Sequence, residues 1–305
     1  MTIATTGPHG GDVEAVARSL GVDPAAILDL SASLNPVAPD PRPVVGRHLD
    51  ALLRYPDDRR ATAALAEVMA VDPARLVLTN GGAEAIALVA QRHPTGWAAE
   101  RDFSLYRRHL RTVDPDGPRW MSDPNNPTGA LAPRTVRAAV RDEAFYPLAT
   151  GTWTRGDAEA IALGSLTKLF ACPGLRLGFV LAPDDRTAAE IADLRPRWSV
   201  SGPAAAALPD LLATADLPGW TTSIAALRTE LHDLLAAHGL HAEPGTANYL
   251  WIPCACGLRA HLLRHRILVR DGTSFGSPDA VRIAVPPPTG LERLAEALDH
   301  LEDPP

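Results

Sequence analysis

Cysteine is scarce in this sequence and cannot build a scaffold. Three cysteines leave no complete disulfide framework, and Cys254-Ala255-Cys256 is too closely spaced for an ordinary bridge or a zinc knuckle. All three are expected to be reduced and mostly buried. Long apolar runs are missing too. No window approaches the length of a membrane span, and the first residues lack a basic segment followed by an apolar stretch. The expectation is a cytoplasmic protein with no membrane partner. A stripe of Lys and Arg is also absent. With a net charge of -7 and a pI near 5.8, the basic residues are scattered among acids, which excludes a nucleic-acid surface. His261 and His265 stand at i, i+4 without an acidic or cysteine ligand beside them, so they predict a solvated helix face and no metal site. Aromatics make up only 5% of the chain, yet 46% of it is apolar. That content suffices for one large α/β domain with a smaller one beside it.

Residues 1 to 40 are rich in Gly, Pro and Ser and read as an irregular arm. A helical pattern runs from Val13 to Leu20. Leu28-Asp29-Leu30-Ser31-Ala32-Ser33-Leu34-Asn35-Pro36 then alternates like a short strand and stops at Pro36. Pro43 to Leu53 reads as a helix broken by Arg54-Tyr55-Pro56-Asp57, and residues 60 to 70 as an alanine-rich helix. The strand Arg75 to Thr79 runs into Asn80-Gly81-Gly82-Ala83-Glu84 and a helix from Ala85 to Arg92. Strand, glycine turn and helix present free backbone N–H groups and a positive dipole end to an anion, although any βα connection can carry such a glycine. Phe103 and Tyr106 share a helix face that suits a core as well as a ligand contact.

Asp123-Pro124-Asn125-Asn126-Pro127-Thr128-Gly129 is more specific, because two prolines fix the backbone around two asparagines and hold at least one amide rigidly. A short helix is expected next, then a strand leading to Asp142-Glu143-Ala144-Phe145. An acid at the end of a parallel strand points to the crevice where α/β ligands bind. Only twelve residues separate Gly129 from Asp142, and Arg141 stands at an apolar position, so this strand is expected to be short or displaced. Lys168 lies between apolar residues in Gly164-Ser165-Leu166-Thr167-Lys168-Leu169, with no acidic neighbour in sequence. Burial would lower its pKa and make it a nucleophilic amine fit for a Schiff base; a surface lysine in a loop is the plain alternative, and this stretch does not separate the two. Near the C-terminus, strands at Ala247 to Ile252, Ile267 to Arg270 and Ala280 to Val285 alternate with helices at Leu258 to His265 and Leu291 to Leu301. The expected division is an arm (1–40), a large domain (41–210) and a small α+β domain (211–305).

Taken in order, Tyr55-Pro56-Asp57, Asn80 to Glu84, Asp123 to Gly129, Asp142 to Phe145, and Ser165 to Lys168 with Pro173-Gly174-Leu175-Arg176-Leu177-Gly178 resemble the motifs of fold-type I pyridoxal-phosphate enzymes, the aspartate-aminotransferase-like superfamily. The resemblance covers nearly the whole chain. It implies an α/β protein of the PLP-dependent transferase fold, with a mostly parallel seven-stranded central sheet, helices on both faces and a small α+β C-terminal domain. It implies pyridoxal 5'-phosphate bonded to Lys168, which would move protons on the substrate. Asp142 would face the pyridine nitrogen, Asn126 the ring 3-oxygen and Phe103 the ring face. The N–H groups of Gly82 and Ala83, with Ser165 and Arg176, would bind the cofactor phosphate, and Tyr55 would reach it from the partner subunit of a homodimer.

His9-Gly10-Gly11, Ser31 to Pro36 and Leu268-Val269-Arg270 resemble the branch of histidinol-phosphate aminotransferases and threonine-phosphate decarboxylases. There, Arg282 would clamp an α-carboxylate, and Arg270 with Asn35 and His9 would hold a substrate phosphate. Phe145 stands where the aminotransferases resembled here usually carry tyrosine, and the arm is short. Both features favour decarboxylation of L-threonine O-3-phosphate to aminopropanol phosphate, a step of cobalamin biosynthesis. The alternatives are an aminotransferase for histidinol phosphate or a similar phosphorylated amine, and a catalytically silent PLP-fold binding protein.

Overall fold

The computed structural model describes residues 10–301. In chain order the strands are β1 (Leu28–Leu30), β2 (Leu76–Thr79), β3 (Thr95–Ala98), β4 (Thr112–Val113), β5 (Arg119–Ser122), β6 (Val140–Asp142), β7 (Ile161–Gly164), β8 (Gly178–Leu181), β9 (Tyr249–Ile252), β10 (Ile267–Asp271) and β11 (Val281–Ala284). Seven of them form one sheet in the order β2-β8-β7-β6-β5-β3-β4, and four form a second in the order β1-β10-β11-β9. In the large sheet β4, β3, β5, β6 and β7 run parallel, while β8 runs antiparallel to both β7 and β2. This reversal brings the amino end of β8 to the edge where β2, β6 and β7 end.

Strands β2, β7 and β8 are buried at every residue, as strands covered on both faces must be. Successive side chains then serve opposite cores. Leu76 and Leu78 of β2 pack with Leu65 and Leu208, whereas Val77 packs with Ile86, Val89 and Ile191. The small sheet has its own core, in which Leu231, Leu262, Ile283 and Leu294 meet. The helix Leu217–Ala237 serves both: Leu217, Trp220 and Ile224 enter the large core, and Leu227, Leu231 and Leu235 the small one. The arm joins the small sheet through β1, which pairs parallel with β10. Among the described residues, no helix is long and apolar enough to cross a membrane.

Several local expectations need correction. No helix follows Gly129; residues 130–139 form an irregular loop. Strand β6 is three residues long but is not displaced, because it pairs with β5 on one side and β7 on the other. Arg141 supplies the reason. It is fully buried, pairs with Asp123 and Asp157 at 3.0 Å each, and donates to the Val136 carbonyl at 3.0 Å. Arg155 pairs with Asp123 at 2.7 Å and donates to the carbonyls of Ala132 and Pro133 at 2.8 and 2.9 Å. Two guanidiniums thus fasten to the sheet a loop that has no hydrogen-bonded helix of its own. The stretch expected as one helix from Pro43 to Leu53 is split into Arg42–Gly46 and a 3-10 turn at Leu49–Leu53. Cys254 and Cys256 are exposed and only Cys172 is buried. His261 is buried rather than solvated, its Nε2 hydrogen-bonded to the Ala297 carbonyl at 2.7 Å. Among the described residues, no group of three or more His, Cys, Asp or Glu is placed to hold a metal.

Candidate active site

Where β5, β6 and β7 end and β8 begins, the large sheet faces β10, β11 and the arm across a cavity of about 450 Å³. Lys168 lines it, on the short helix Leu166–Leu169 that follows β7. Its Nζ donates to the Ala32 carbonyl of the arm at 2.7 Å. Burial pushes the lysine pKa down to about 8, with Arg282, Arg176 and Arg270 acting in the same sense and Asp29 opposing. The surface-loop alternative is therefore set aside: this amine lines the cavity, and its surroundings favour the neutral form more than water would.

Asp142 reaches the cavity from the end of β6. Its Oδ2 accepts from the Tyr106 hydroxyl at 2.8 Å and its Oδ1 from the Ala144 N–H at 3.0 Å. Burial raises its pKa, and these two bonds and the charge of Lys168 work against the rise. Tyr106 is a partner that the sequence reading placed only as one of an aromatic pair. Phe103 opens onto the cavity, while Tyr106 lies behind it, edge to face at 5.8 Å, and extends its hydroxyl to the strand end. The signal was the three-residue spacing, which puts both rings on one side of a helical turn.

At the other side, the helix Gly81–Arg92 begins at the cavity, lined by Gly82 and Ala83. First-turn N–H groups of a helix have no intrahelical acceptor. Glu84 accepts from the Asn80 N–H at 2.6 Å, whereas Gly82 and Ala83 of the cavity lining stand in that first turn, with no intrahelical acceptor for their N–H groups. Gly81 has φ +80°, and a Cβ there would lie 2.3 Å from Arg176 Nη2. Only glycine lets that guanidinium rest against the helix start. Arg176 and Ser165 complete this corner of the lining.

Two further arginines close the opposite side. Arg270 on β10 and Arg282 on β11 stand opposite one another in the antiparallel register, and each is at most 5% exposed. Arg282 donates to Asn126 Oδ1 and to the Ser31 carbonyl, and lies 4.7 Å over the Tyr249 ring. Arg270 donates to Ser274 Oγ at 2.6 Å and lies 5.4 Å over Phe275. Burial, and then the charge of Arg282, lowers the Arg270 pKa to about 10. Phe145 lines the cavity between these groups and packs edge to face on Tyr249 at 5.0 Å.

The expected site residues therefore meet with three exceptions. Asn35 does not line the cavity: its amide donates to the Leu169 carbonyl at 3.0 Å and accepts from the Val37 N–H at 3.1 Å, and its own N–H donates to the Lys168 carbonyl at 3.0 Å. It ties the arm to the lysine turn and is not among the residues that line the cavity. Tyr55 is 79% exposed, lies tilted against Trp198 with ring centroids 4.5 Å apart, and is outside the cavity of its own chain. His9 lies outside the described residues.

The family described as aminotransferase class I and II matches residues 120–298. Among curated proteins, a threonine-phosphate decarboxylase from Sinorhizobium sp is 31% identical over 96% of this chain and 98% of its own. A histidinol-phosphate aminotransferase from Pseudomonas aeruginosa is 26% identical over 95% of this chain and 93% of its own. Among solved structures, the histidinol-phosphate aminotransferase from Sinorhizobium meliloti in complex with pyridoxal-5'-phosphate superposes with a TM-score of 0.82 at 19% identity, covering 97% of this chain and 95% of that one. The match spans more than half of the chain, from within β5 through β6, β7 and the lysine turn, and on that ground this protein belongs to the class I and II aminotransferase family.

Proposed function

We propose that this enzyme uses pyridoxal 5'-phosphate to remove CO2 from L-threonine O-3-phosphate, giving aminopropanol phosphate. The observation that carries the substrate class is the pair of buried arginines, Arg270 and Arg282, facing the same cavity as the Lys168 amine. Two guanidiniums suit an amino acid with two anionic groups, a carboxylate and a phosphate. The cofactor fits the donor set. The cavity offers a low-pKa amine, an acid at a strand end, and an anion corner that a Cβ at Gly81 would obstruct.

When bound, pyridoxal phosphate supplies an electron-poor ring that draws electrons from the bond broken at the substrate α carbon. Gly82, Ala83, Ser165 and Arg176 would hold its phosphate, and Phe103 and Asn126 would fix the ring. Asp142 would keep a proton on the ring nitrogen, and that positive partner would favour the carboxylate where burial alone opposes it. Arg282 orients the substrate carboxylate, Arg270 its phosphate, and Lys168 returns a proton to the α carbon once CO2 has left. The exposed Leu49, Leu52, Leu53, Tyr55 and Trp198 support a homodimer in which a second copy covers this patch and Tyr55 reaches the other cavity. In the same reading the arm (1–40) contributes to the small unit (211–305), which the pairing of β1 with β10 supports, and residues 41–210 form the large cofactor-binding unit.

The Pseudomonas relative supports a second reading, transfer of an amino group from histidinol phosphate or a similar amine. Incubating the loaded protein with threonine phosphate, with and without 2-oxoglutarate, separates the two. CO2 and aminopropanol phosphate are expected in equal amounts without any oxo acid. Product that forms only with 2-oxoglutarate, and with no CO2, overturns decarboxylation.

Cofactor capture also carries a pH signature. Only the neutral Lys168 amine attacks a carbonyl, and its pKa is about 8. Uptake by the cofactor-free protein, followed by visible absorbance, is expected to slow roughly tenfold per pH unit below about 8 and to level off above it. A rate independent of pH across that range would refute the enclosed amine.

A further inference from the structure

Asp102 plays no part in this chemistry, yet it is 2% exposed and its side chain is not part of the cavity lining. It immediately precedes Phe103 and packs against Ser122, the last residue of β5. Its Oδ1 accepts from the Phe103 N–H at 2.8 Å and from the Ser122 hydroxyl. The Ser122 N–H lies 3.2 and 3.3 Å from its two oxygens. Ser122 Oγ in turn accepts from the Asn126 N–H at 2.7 Å. A hydroxyl has one proton, so with Asn126 donating to it the Ser122 proton points to Asp102. The bonds linking Phe103, Asp102, Ser122 and Asn126 therefore converge from both ends on the Asp102 carboxylate, the one pure acceptor among them. They run beside Asp142, which stands opposite Ser122 in the β5–β6 register.

We propose that Asp102 is a positioning residue for the cofactor: its carboxylate holds Phe103 at one face of the ring and, through Ser122, holds Asn126 at the ring edge. The inference rests on the pyridoxal-phosphate reading above. Burial pushes the Asp102 pKa to about 7, while the hydrogen bonds from Ser122 and Phe103 hold it down. These donors favour the ionised form of the acid against its burial. The titratable groups coupled to it, Asp142 on β6, Tyr106 on the helix Leu105–His109 and Tyr249 on β9, contribute no positive charge. A substitution of Asp102 therefore removes a hydrogen-bond acceptor rather than one partner of an ion pair.

The test compares cofactor-free wild type with Asp102→Ala, Asp102→Asn and Ser122→Ala. Pyridoxal phosphate is titrated into each, its visible circular dichroism is recorded at saturation, and the unfolding temperature of each cofactor-free form is measured. Asp102→Ala is expected to weaken cofactor binding about tenfold or more and to reduce the dichroism per bound cofactor, because Phe103 and Asn126 both lose their anchor. Asp102→Asn keeps an oxygen at the Oδ1 position and is expected to restore binding to within about threefold of wild type. Ser122→Ala cuts only the branch to Asn126 and should fall between them. If Asp102→Ala does not fold, the other two variants decide the question. Wild-type affinity and dichroism in Ser122→Ala and Asp102→Ala, an Asn variant as damaged as the Ala variant, or losses that follow only the unfolding temperature would overturn the inference while the cofactor reading stands. A wild-type protein that takes up no pyridoxal phosphate would overturn both.

Discussion

Replacing Lys168 with alanine is expected to lower turnover by about 10⁴-fold or more while leaving the fold standing. The fold survives because burial already disfavours the ammonium form, so removing it relieves a desolvation cost. Its one hydrogen bond, to the Ala32 carbonyl, belongs to the arm rather than to the core. Among the 29 Lys and Arg residues of the chain, Lys168 is the only lysine. Borohydride reduction of the loaded protein therefore has a single side-chain amine to trap. The cofactor mass is expected on the peptide carrying Lys168, and on no peptide of the variant. A Lys168→Ala protein that keeps more than about a hundredth of wild-type turnover, or a label at the N-terminal amine instead, would remove Lys168 from the proposed chemistry. The lone lysine was a signal available in the composition. A guanidinium stays protonated and cannot attack a carbonyl, so a chain that uses arginine for its other basic side chains has this one position where the amine is required.

Arg141→Leu is expected to cost about 3 kcal/mol of stability. The substitution leaves Asp123, which is fully buried, with Arg155 as its remaining cationic partner, and strips the Val136 carbonyl of its donor. Removing one partner of a buried pair is costly because the other charge stays desolvated. Arg155 still neutralises Asp123, which keeps the loss at the lower end of that range. Arg141→Lys is expected to rescue little, since an ammonium cannot bridge two carboxylates and a carbonyl in one plane. Urea unfolding of the cofactor-free protein measures the loss, and a change below about 1 kcal/mol would show that the cluster does not hold the loop. Because Arg141 and Asp142 are consecutive in β6 and point to opposite faces, loosening one side of the strand also frees the acid on the other.

Much of the candidate site was legible because its parts are local. A helix that starts at a positive-φ glycine, a loop stiffened by Pro124 and Pro127, and a short turn carrying Lys168 are each set by a few adjacent residues. The short strand β6 was legible for the same reason. What compensates for its shortness was not, since Asp123 and Arg155 are 18 and 32 residues apart in sequence from the groups they pair with. Arg141 next to a site aspartate read as a departure from an apolar strand; in the structure it fills a space lined with carbonyls and carboxylates. Asn35 is placed by a contact of the same long-range kind. Its place in the arm pointed to the substrate, but its amide is engaged by the Leu169 carbonyl, 134 residues away.

By itself, the sequence determined which chemical groups the protein has and the order in which they come: a lysine in an apolar turn, an acid ending a strand, a glycine-opened helix, and arginines at Arg176, Arg270 and Arg282. Backbone preferences of neighbouring residues are enough for that. Only the tertiary structure decided that these groups share one cavity, that the amine is enclosed and its pKa lowered, that Tyr106 stands behind Asp142 and Asp102 behind Phe103, and that Asn35 is engaged elsewhere. Desolvation and hydrogen-bond partnership are properties of contacts between distant parts of the chain, and they exist only once the reversed strand β8 and the arm have brought those parts together.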